Sequence, residues 1–183
     1  NKLIREMPEV EQAFFYPAAD DSGTPIGAAL EAYYRHCERT GVAPQRFPLA
    51  DMYFGREFSD EQIEAALMAS GWRGRAERLG EIEEAVAGLL AEGKILGRFS
   101  GRDEWGPRAL GNRSIMADPR DLRIIRRINY AIKHRDFWMP FAPSVLEERM
   151  DDYFVDAYPA HYMIEAFDTT AQADELVAGL HPY

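Results

Sequence analysis

Apolar residues recur at helical spacing in several parts of the chain. From about Ile26 to Arg39, the residues Ile26, Ala29, Leu30, Tyr33 and Cys37 share one stripe, which predicts a helix that Gly41 ends. Ser59 and Gln62 have capping-box spacing ahead of Ile63, Ala66 and Leu67, and Gly71 closes that segment. A further helix is expected from about Arg78 to Ala91, with Leu79, Ile82, Val86, Leu89 and Leu90 inward and Glu81, Glu83 and Glu84 outward. Gly93 caps it. Asp118 and Pro119 read as the N-cap and first-turn residue of a helix reaching about Ile132. Shorter helices are expected near Glu147 to Tyr153 and Ala171 to Ala178.

Between these lie candidate strands at Lys94 to Phe99, Ser114 to Ala117, Phe141 to Leu146 and His161 to Phe167, with Lys2 to Glu6 as an edge strand or the end of one. Tyr16 to Pro25 is a loop of small and polar residues. Val42 to Phe58 is aromatic and proline-bearing without helical period, and reads as a linker with short extended pieces. Strands and helices alternate, so the expected class is α/β, with α+β as the alternative. There are no internal repeats.

With 183 residues and 46% hydrophobic content, the chain can build a core. No apolar run approaches the roughly 20 residues of a membrane span. Cys37 is the only cysteine, so no intramolecular disulfide can form and a reducing cytoplasm is the expected setting. Cys37 itself reads as a small buried hydrophobe.

Net charge is −10, which argues against nucleic-acid binding, an affinity dominated by phosphate neutralisation. The distribution adds more. Residues 94–135 hold 11 of the 21 Lys and Arg but 4 of the 31 Asp and Glu, a local +7 that leaves −17 on the remainder. A basic island in an acidic protein focuses potential where a small polyanion would be drawn in.

The centre of that island, Gly101 to Arg120, is too rich in glycine, proline and arginine for a core helix or inner strand. Arg102, Arg108 and Arg113 are spaced five or six residues apart with Gly106 and Gly111 between them, so guanidinium forks and main-chain N–H groups could converge on one anion. Asn112 and Ser114 add neutral hydrogen-bonding groups. The competing reading is a loop stapled internally by Asp103, Glu104 and Asp118. Further on, Lys133-His134-Arg135 places two cations two residues apart, which in an extended segment would form a two-pronged phosphate clamp. Arg120, Arg123, Arg126 and Arg127 read as a solvated helix face opposite Ile124, Ile125 and Ile128.

Asp20-Asp21, in a small-residue loop before a helix, suits an N-cap or a hard-metal ligand. The scattered histidines and single cysteine give no complete metal motif, and there is no Walker loop or nucleophile elbow.

Three motifs carry a family resemblance: Gly101 to Arg120, Asn129-Tyr130-Ala131-Ile132-Lys133-His134-Arg135, and Pro140-Phe141-Ala142-Pro143-Ser144-Val145-Leu146. With Tyr53-Phe54-Gly55, Ser59 to Glu64 and Leu89 to Ile95, they resemble the C-terminal region of the nodulation-protein and antibiotic O-carbamoyltransferases over about residues 45–150. That resemblance implies two parts. Residues 1–40 would be the tail of an ASKHA-like transfer domain, 41–58 a linker, and 59–183 a YrdC-like adenylating domain, a twisted open sheet with flanking helices that is incomplete at its C-terminus.

The implied activity is activation of carbamoyl phosphate with ATP to carbamoyl-adenylate, then transfer to a hydroxyl-bearing acceptor, with Mg²⁺ at the nucleotide and iron in the full-length protein. Lys133 and Arg135 would grip phosphates and Arg108 would face the same cavity, while Asp21 would give a carboxylate to the metal. Met139 stands where such proteins usually carry arginine. The histidine ligands and the Ser and Asn of the phosphate site are not in the sequence, so the isolated chain is expected to be catalytically incompetent. A non-catalytic nucleotide- or polyphosphate-binding module and, less favoured, an RNA-binding domain stay open, as does a homodimer.

Overall fold

The computed structural model describes residues 1–181. Among them are eight short elements: helices α1 (Lys2–Arg5), α2 (Thr24–Thr40), α3 (Asp60–Ala69) and α4 (Ile82–Ala91), strands β1 (Leu96–Phe99) and β2 (Arg113–Met116), then α5 (Arg123–Ile128) and α6 (Met150–Tyr153). Single 3-10 turns lie at Asp21–Gly23, Arg73–Arg75 and Glu147–Arg149, a longer 3-10 segment at Ala171–Gly179, and a π-helical turn at Asn129–Lys133. Helices beside a small antiparallel sheet make the class α+β, one of the two expected.

Several elements form for the reasons written in the sequence. Pro25 stands in the first turn of α2, and Gly41, at φ +71°, closes it with its N–H on the Cys37 carbonyl. The capping box of α3 is complete, with Ser59 Oγ accepting from the Gln62 N–H and Gln62 Oε1 accepting from the Ser59 N–H. Strand β1 pairs with β2 from Leu96↔Met116 to Phe99↔Arg113, within two residues of the expected bounds. Cys37 is buried.

Other expectations fail for identifiable reasons. Lys2 to Glu6 is no strand; it forms one turn of helix anchored by Lys2 to Asp168 at 2.6 Å and by Asn1 Nδ2 to the Ile164 carbonyl at 2.6 Å. Helix α4 starts at Ile82, after a non-helical Glu81, and has no side-chain cap. Leu79, Ile82 and Leu89, expected inward, are exposed. The segment from Phe141 to Leu146 pairs with nothing as a strand, since Pro140 and Pro143 remove ladder donors at its start. In His161 to Phe167, Met163 turns to φ +56°, and an isolated Phe154↔Thr169 bridge is all the pairing nearby.

The helix expected from Asp118 is also shorter. The Asp118 carboxylate accepts from the Arg120 N–H at 3.0 Å and Asp121 does the same for Arg123 at 2.9 Å, so two successive turns delay the helix to Arg123. Its apolar side then packs as foreseen. Ile124, Ile128 and Ala178 form a small core with Ile95, Ala117, Ile125 and Phe141, while Arg120 and Arg123 face solvent.

A second buried contact holds the loop between β1 and β2. The Trp105 N–H donates to the Met52 carbonyl at 2.7 Å, the Gly55 N–H to Asp103 at 3.0 Å, and Tyr53 Oη to the Leu110 carbonyl at 3.0 Å. Met52 and Ala18 are fully buried there. Gly55 lies so close to Asp103 that an added Cβ would stand 2.2 Å from the Asp103 Cβ.

Two glycine substitutions test this packing. Gly55→Ala is expected to destabilise by about 1–3 kcal/mol through overpacking. Gly27→Ala, inside α2 with nothing near its added Cβ, is expected to stabilise by about 0.5–1 kcal/mol. Urea midpoints at constant slope measure both.

Candidate functional site

The loop between the strands owes its shape to one carboxylate. Gly101, Gly106 and Gly111 take φ of +58°, +108° and +112°, backbone geometry that L side chains resist. The turns they make aim three main-chain N–H groups inward. Glu104 Oε1 accepts from Leu110 at 3.0 Å, Asn112 at 2.6 Å and Arg113 at 3.0 Å. Partial burial alone would raise this carboxyl; the N–H groups of Arg113, Asn112 and Leu110 outweigh it and hold it below the ordinary glutamate range. The main-chain donors expected to meet an external anion therefore meet an internal one.

Most of the polar side chains singled out in this loop serve the same end. Arg113 donates to the carbonyls of Ser100 at 2.6 Å and Gly101 at 3.1 Å, pairs with Asp103 at 2.8 Å, and lies 3.6 Å from the centre of the Phe99 ring. Asn112 Nδ2 donates to the Arg102 carbonyl at 2.9 Å, and Ser114 Oγ accepts from the Gly111 N–H at 2.9 Å. Arg102 reaches the Gly55 carbonyl through Nε at 3.3 Å and is otherwise exposed.

Arg108 differs. It is exposed, forms no ion pair within the described residues, and lines a cavity of about 530 Å³ with Asn1, Lys2, Leu3 and Met163 to Ala166. Asp20 caps the Asp21–Gly23 turn. The Ser22 hydroxyl and N–H, and more weakly the Arg108 charge, hold the Asp20 carboxyl below its usual range. Of the two aspartates, Asp20 is thus the cap. Asp21 has no set of co-ligands: among the described residues no group of three or more His, Cys, Asp or Glu could hold a metal ion. These residues alone do not fit an iron centre.

The Lys133-His134-Arg135 segment forms a separate site. Its backbone is not extended, which corrects the two-pronged geometry expected for it. Asn129–Lys133 is a π-helical turn, and His134 follows at φ +48°. Asn129 is fully buried and organises the turn. Its carbonyl accepts from Arg135 N–H at 3.0 Å, its Nδ2 donates to the carbonyls of Met139 at 2.9 Å and Phe137 at 3.3 Å, and its Oδ1 accepts from Arg135 Nε at 2.7 Å.

The guanidinium of Arg135 also sits 4.7 Å from the centre of the Phe141 ring. It lines a cavity of about 660 Å³ with Tyr130, Ala131, His134, Asp136 and Met139. Lys133 stands exposed at the end of the turn, with no ion pair among the described residues. The structure therefore brings Lys133 and Arg135 to one turn and puts Arg108 on another cavity. Asn129 carries the architecture of one site without having been singled out, and Glu104, named beforehand as one of three internal staples, carries the other through main-chain N–H groups. Asn129 had a signal, being polar where the Ile124, Ile125, Ile128 stripe continues; Glu104 stood out only as a counter-ion among arginines.

Glu104→Gln keeps the shape and removes the charge. Exchange of the Leu110, Asn112 and Arg113 amides is expected to speed about 10–100-fold, the range for losing charge-assisted hydrogen bonds. Since the folded carboxyl titrates below the ordinary glutamate value of 4.5, its stabilisation is complete above that value. It fades as pH falls through the folded value. Amide exchange of the wild type and the variant, compared across that acid range, is therefore expected to converge.

No helix among the described residues is long and apolar enough to cross a membrane. A family model described as carbamoyltransferase C-terminus matches residues 87–182. An uncharacterized protein of Synechocystis sp., sll1178, is 37% identical over 169 residues, covering 91% of this chain and 27% of that protein. Nodulation protein NolNO of Sinorhizobium fredii is 41% identical over 145 residues, covering 79% of this chain and 21% of the relative. For nodulation protein NolO of Bradyrhizobium diazoefficiens the figures are 40% over 146 residues, 79% and 26%. The chain thus spans about a quarter of the length of these curated relatives. With the arginine loop and the Asn129 turn both inside the matched span, the chain belongs to the carbamoyltransferase C-terminal family.

Proposed function

We propose that this chain is the carbamoyl-activating region of an ATP-dependent O-carbamoyltransferase, with its anion site at the Asn129–Arg135 turn. The observation that supports this is the pairing of a free cation with a fixed one. Lys133 is exposed and unpaired among the described residues, while Arg135 is held by Asn129 and Phe141 at the edge of a 660 Å³ cavity. A fixed guanidinium presents its fork at little entropic cost, and a mobile ammonium follows charge as it moves.

The reaction needs such groups. Carbamoyl phosphate loses phosphate to water, and the resulting carbamate oxygen bonds the α-phosphorus of ATP as pyrophosphate leaves. The adenylate then gives its carbamoyl group to an acceptor hydroxyl, and AMP departs. Two polyanions must meet, so their charge has to be neutralised before any bond forms. The excess of seven positive charges over residues 94–135 serves that step electrostatically. Mg²⁺, when bound with the nucleotide, would screen its phosphates. The setting consistent with this chemistry is the cytoplasm.

Calorimetric titration of the chain with ATP–Mg²⁺ and with carbamoyl phosphate tests the reading. Binding of at least one is expected, weakened about tenfold or more by Lys133→Ala, the loss of one charge-assisted contact. Arg126→Ala, on the exposed face of α5, is expected to change it less than twofold. An equal loss in Arg108→Ala would join the two cavities into one site. No heat with either ligand would overturn the proposal. Binding of ATP–Mg²⁺ by an extended, family-length protein that yields no carbamoylated product would favour the non-catalytic nucleotide-binding module.

A further inference from the structure

Between Lys133 and Arg135 stands a histidine at a position whose backbone suits glycine best. The Asn129 carbonyl accepts from the N–H groups of both His134 and Arg135, the second at 3.0 Å. This closure ends the π-helical turn with His134 in the left-handed region, at φ +48° and ψ +49°. Glycine adopts that geometry freely, whereas a residue with a Cβ is strained there. The strained residue also carries a side chain to a useful place. The His134 imidazole is exposed and lines the cavity of about 660 Å³ beside Arg135 and Asp136. It has no hydrogen bond, ion pair or ring contact among the described residues.

The charges around the ring define what it can do. Tyr130, Arg135 and Asp136 are the other titratable groups lining the cavity, and Lys133 precedes the ring in the same turn. Arg135 and Asp136 cancel, so the excess is the single positive charge of Lys133. A proton on His134 doubles that excess and matches the charge of a dianion. Imidazole is the side chain whose ordinary titration falls between pH 5 and 8, so it sets the balance in that range. The effect is reciprocal. An anion beside the ring favours the imidazolium, and the imidazolium favours the anion to the same degree.

We propose that the His134 imidazole is a third, proton-dependent ligand of the anion held by Lys133 and Arg135. This inference rests on the anion site proposed above and deepens it, by making that site prefer a dianion and hold it more tightly as the ring gains its proton. The sign is fixed by the charges: the extra affinity is present at low pH and is lost as the imidazolium deprotonates. Solvent screening at an exposed ring limits its size to about three- to tenfold.

Sulfate is the probe, because it stays a dianion throughout this range and its own titration cannot imitate that of the ring. Titration of the 183-residue chain, followed by NMR shifts at constant ionic strength, is expected to give an affinity about three- to tenfold higher at pH 5.5 than at pH 8. Two variants keep the backbone and remove the proton. His134→Asn places a residue that tolerates left-handed geometry, and His134→Gly one that adopts it without strain. Both are expected to reduce the ratio to about 1.5-fold or less. Asp136→Asn is expected to raise affinity at both pH values and to keep the ratio. A ratio that survives in either His134 variant would overturn the inference. So would a flat profile in a wild type whose sulfate binding still depends on Lys133, and in that case the anion site itself would stand. Sulfate binding that Lys133→Ala leaves unchanged would overturn the site and the inference together. No sulfate binding at pH 5.5 would overturn the inference and leave the nucleotide titration to decide the site.

Discussion

The carboxylate of Glu104 is the constraint on which the arginine loop depends. A loop with three glycines at positive φ has a high conformational entropy to lose, and among its side chains only Trp105 and Leu110 are large, apolar and half-buried. One oxygen accepting three N–H groups turns the loop inward on itself, and Arg113 then threads its guanidinium through the carbonyls that the turn exposes. The sheet follows from this, since Arg113 opens β2 and covers the ring of Phe99 at the end of β1. So does the contact with Met52 to Arg56, which needs Asp103 and Trp105 in place. The loop is a folded object first and only then a platform for Arg108.

The two basic sites are built on opposite plans. In the arginine loop the cations are mostly spent on structure, and the one left over faces a different cavity from the Lys133 turn. In the turn, a neutral buried residue does the structural work and leaves one cation rigid and one free. Charge counted along the chain could not distinguish these, because an arginine bonded to carbonyls and one open to solvent contribute equally to a sum. Their separation depends on hydrogen-bond partners, which only the folded backbone assigns.

Legibility followed the range of the interactions involved. Gly41 and the Ser59–Gln62 box were readable because their effects act within a few residues, whereas Pro25, read as the end of a loop, stands in the first turn of α2. The strand candidates at Lys94 to Phe99 and Ser114 to Ala117 were readable as short pieces on either side of the arginine loop, but their pairing with each other came only from the folded chain. Lys2 to Arg5 was misread because Asp168 and Ile164, more than 160 residues away, decide its conformation. The late start of α5 was a local competition resolved the other way: Asp118 and Asp121 each bond the N–H two residues ahead, where an N-cap would have waited for the helix. For Glu104 the residue type was visible but its role was not. Three donors separated by as many as nine positions from their acceptor are invisible until the glycines have turned.

Asn129 joins the small core to the Lys133 turn, and this linkage has a thermal consequence. Its side chain is fully buried beside Ile128, and its oxygen is what orients Arg135. The Ile124–Ile128 packing is closed from outside by Ala178, at the end of a 3-10 segment with a kink at Leu176. Loosening of that segment would free Asn129 to rotate while α2, α3 and the arginine loop stay intact. Heating that loosened this segment would then disorder the Lys133 turn through the same contacts, and cooling would restore both.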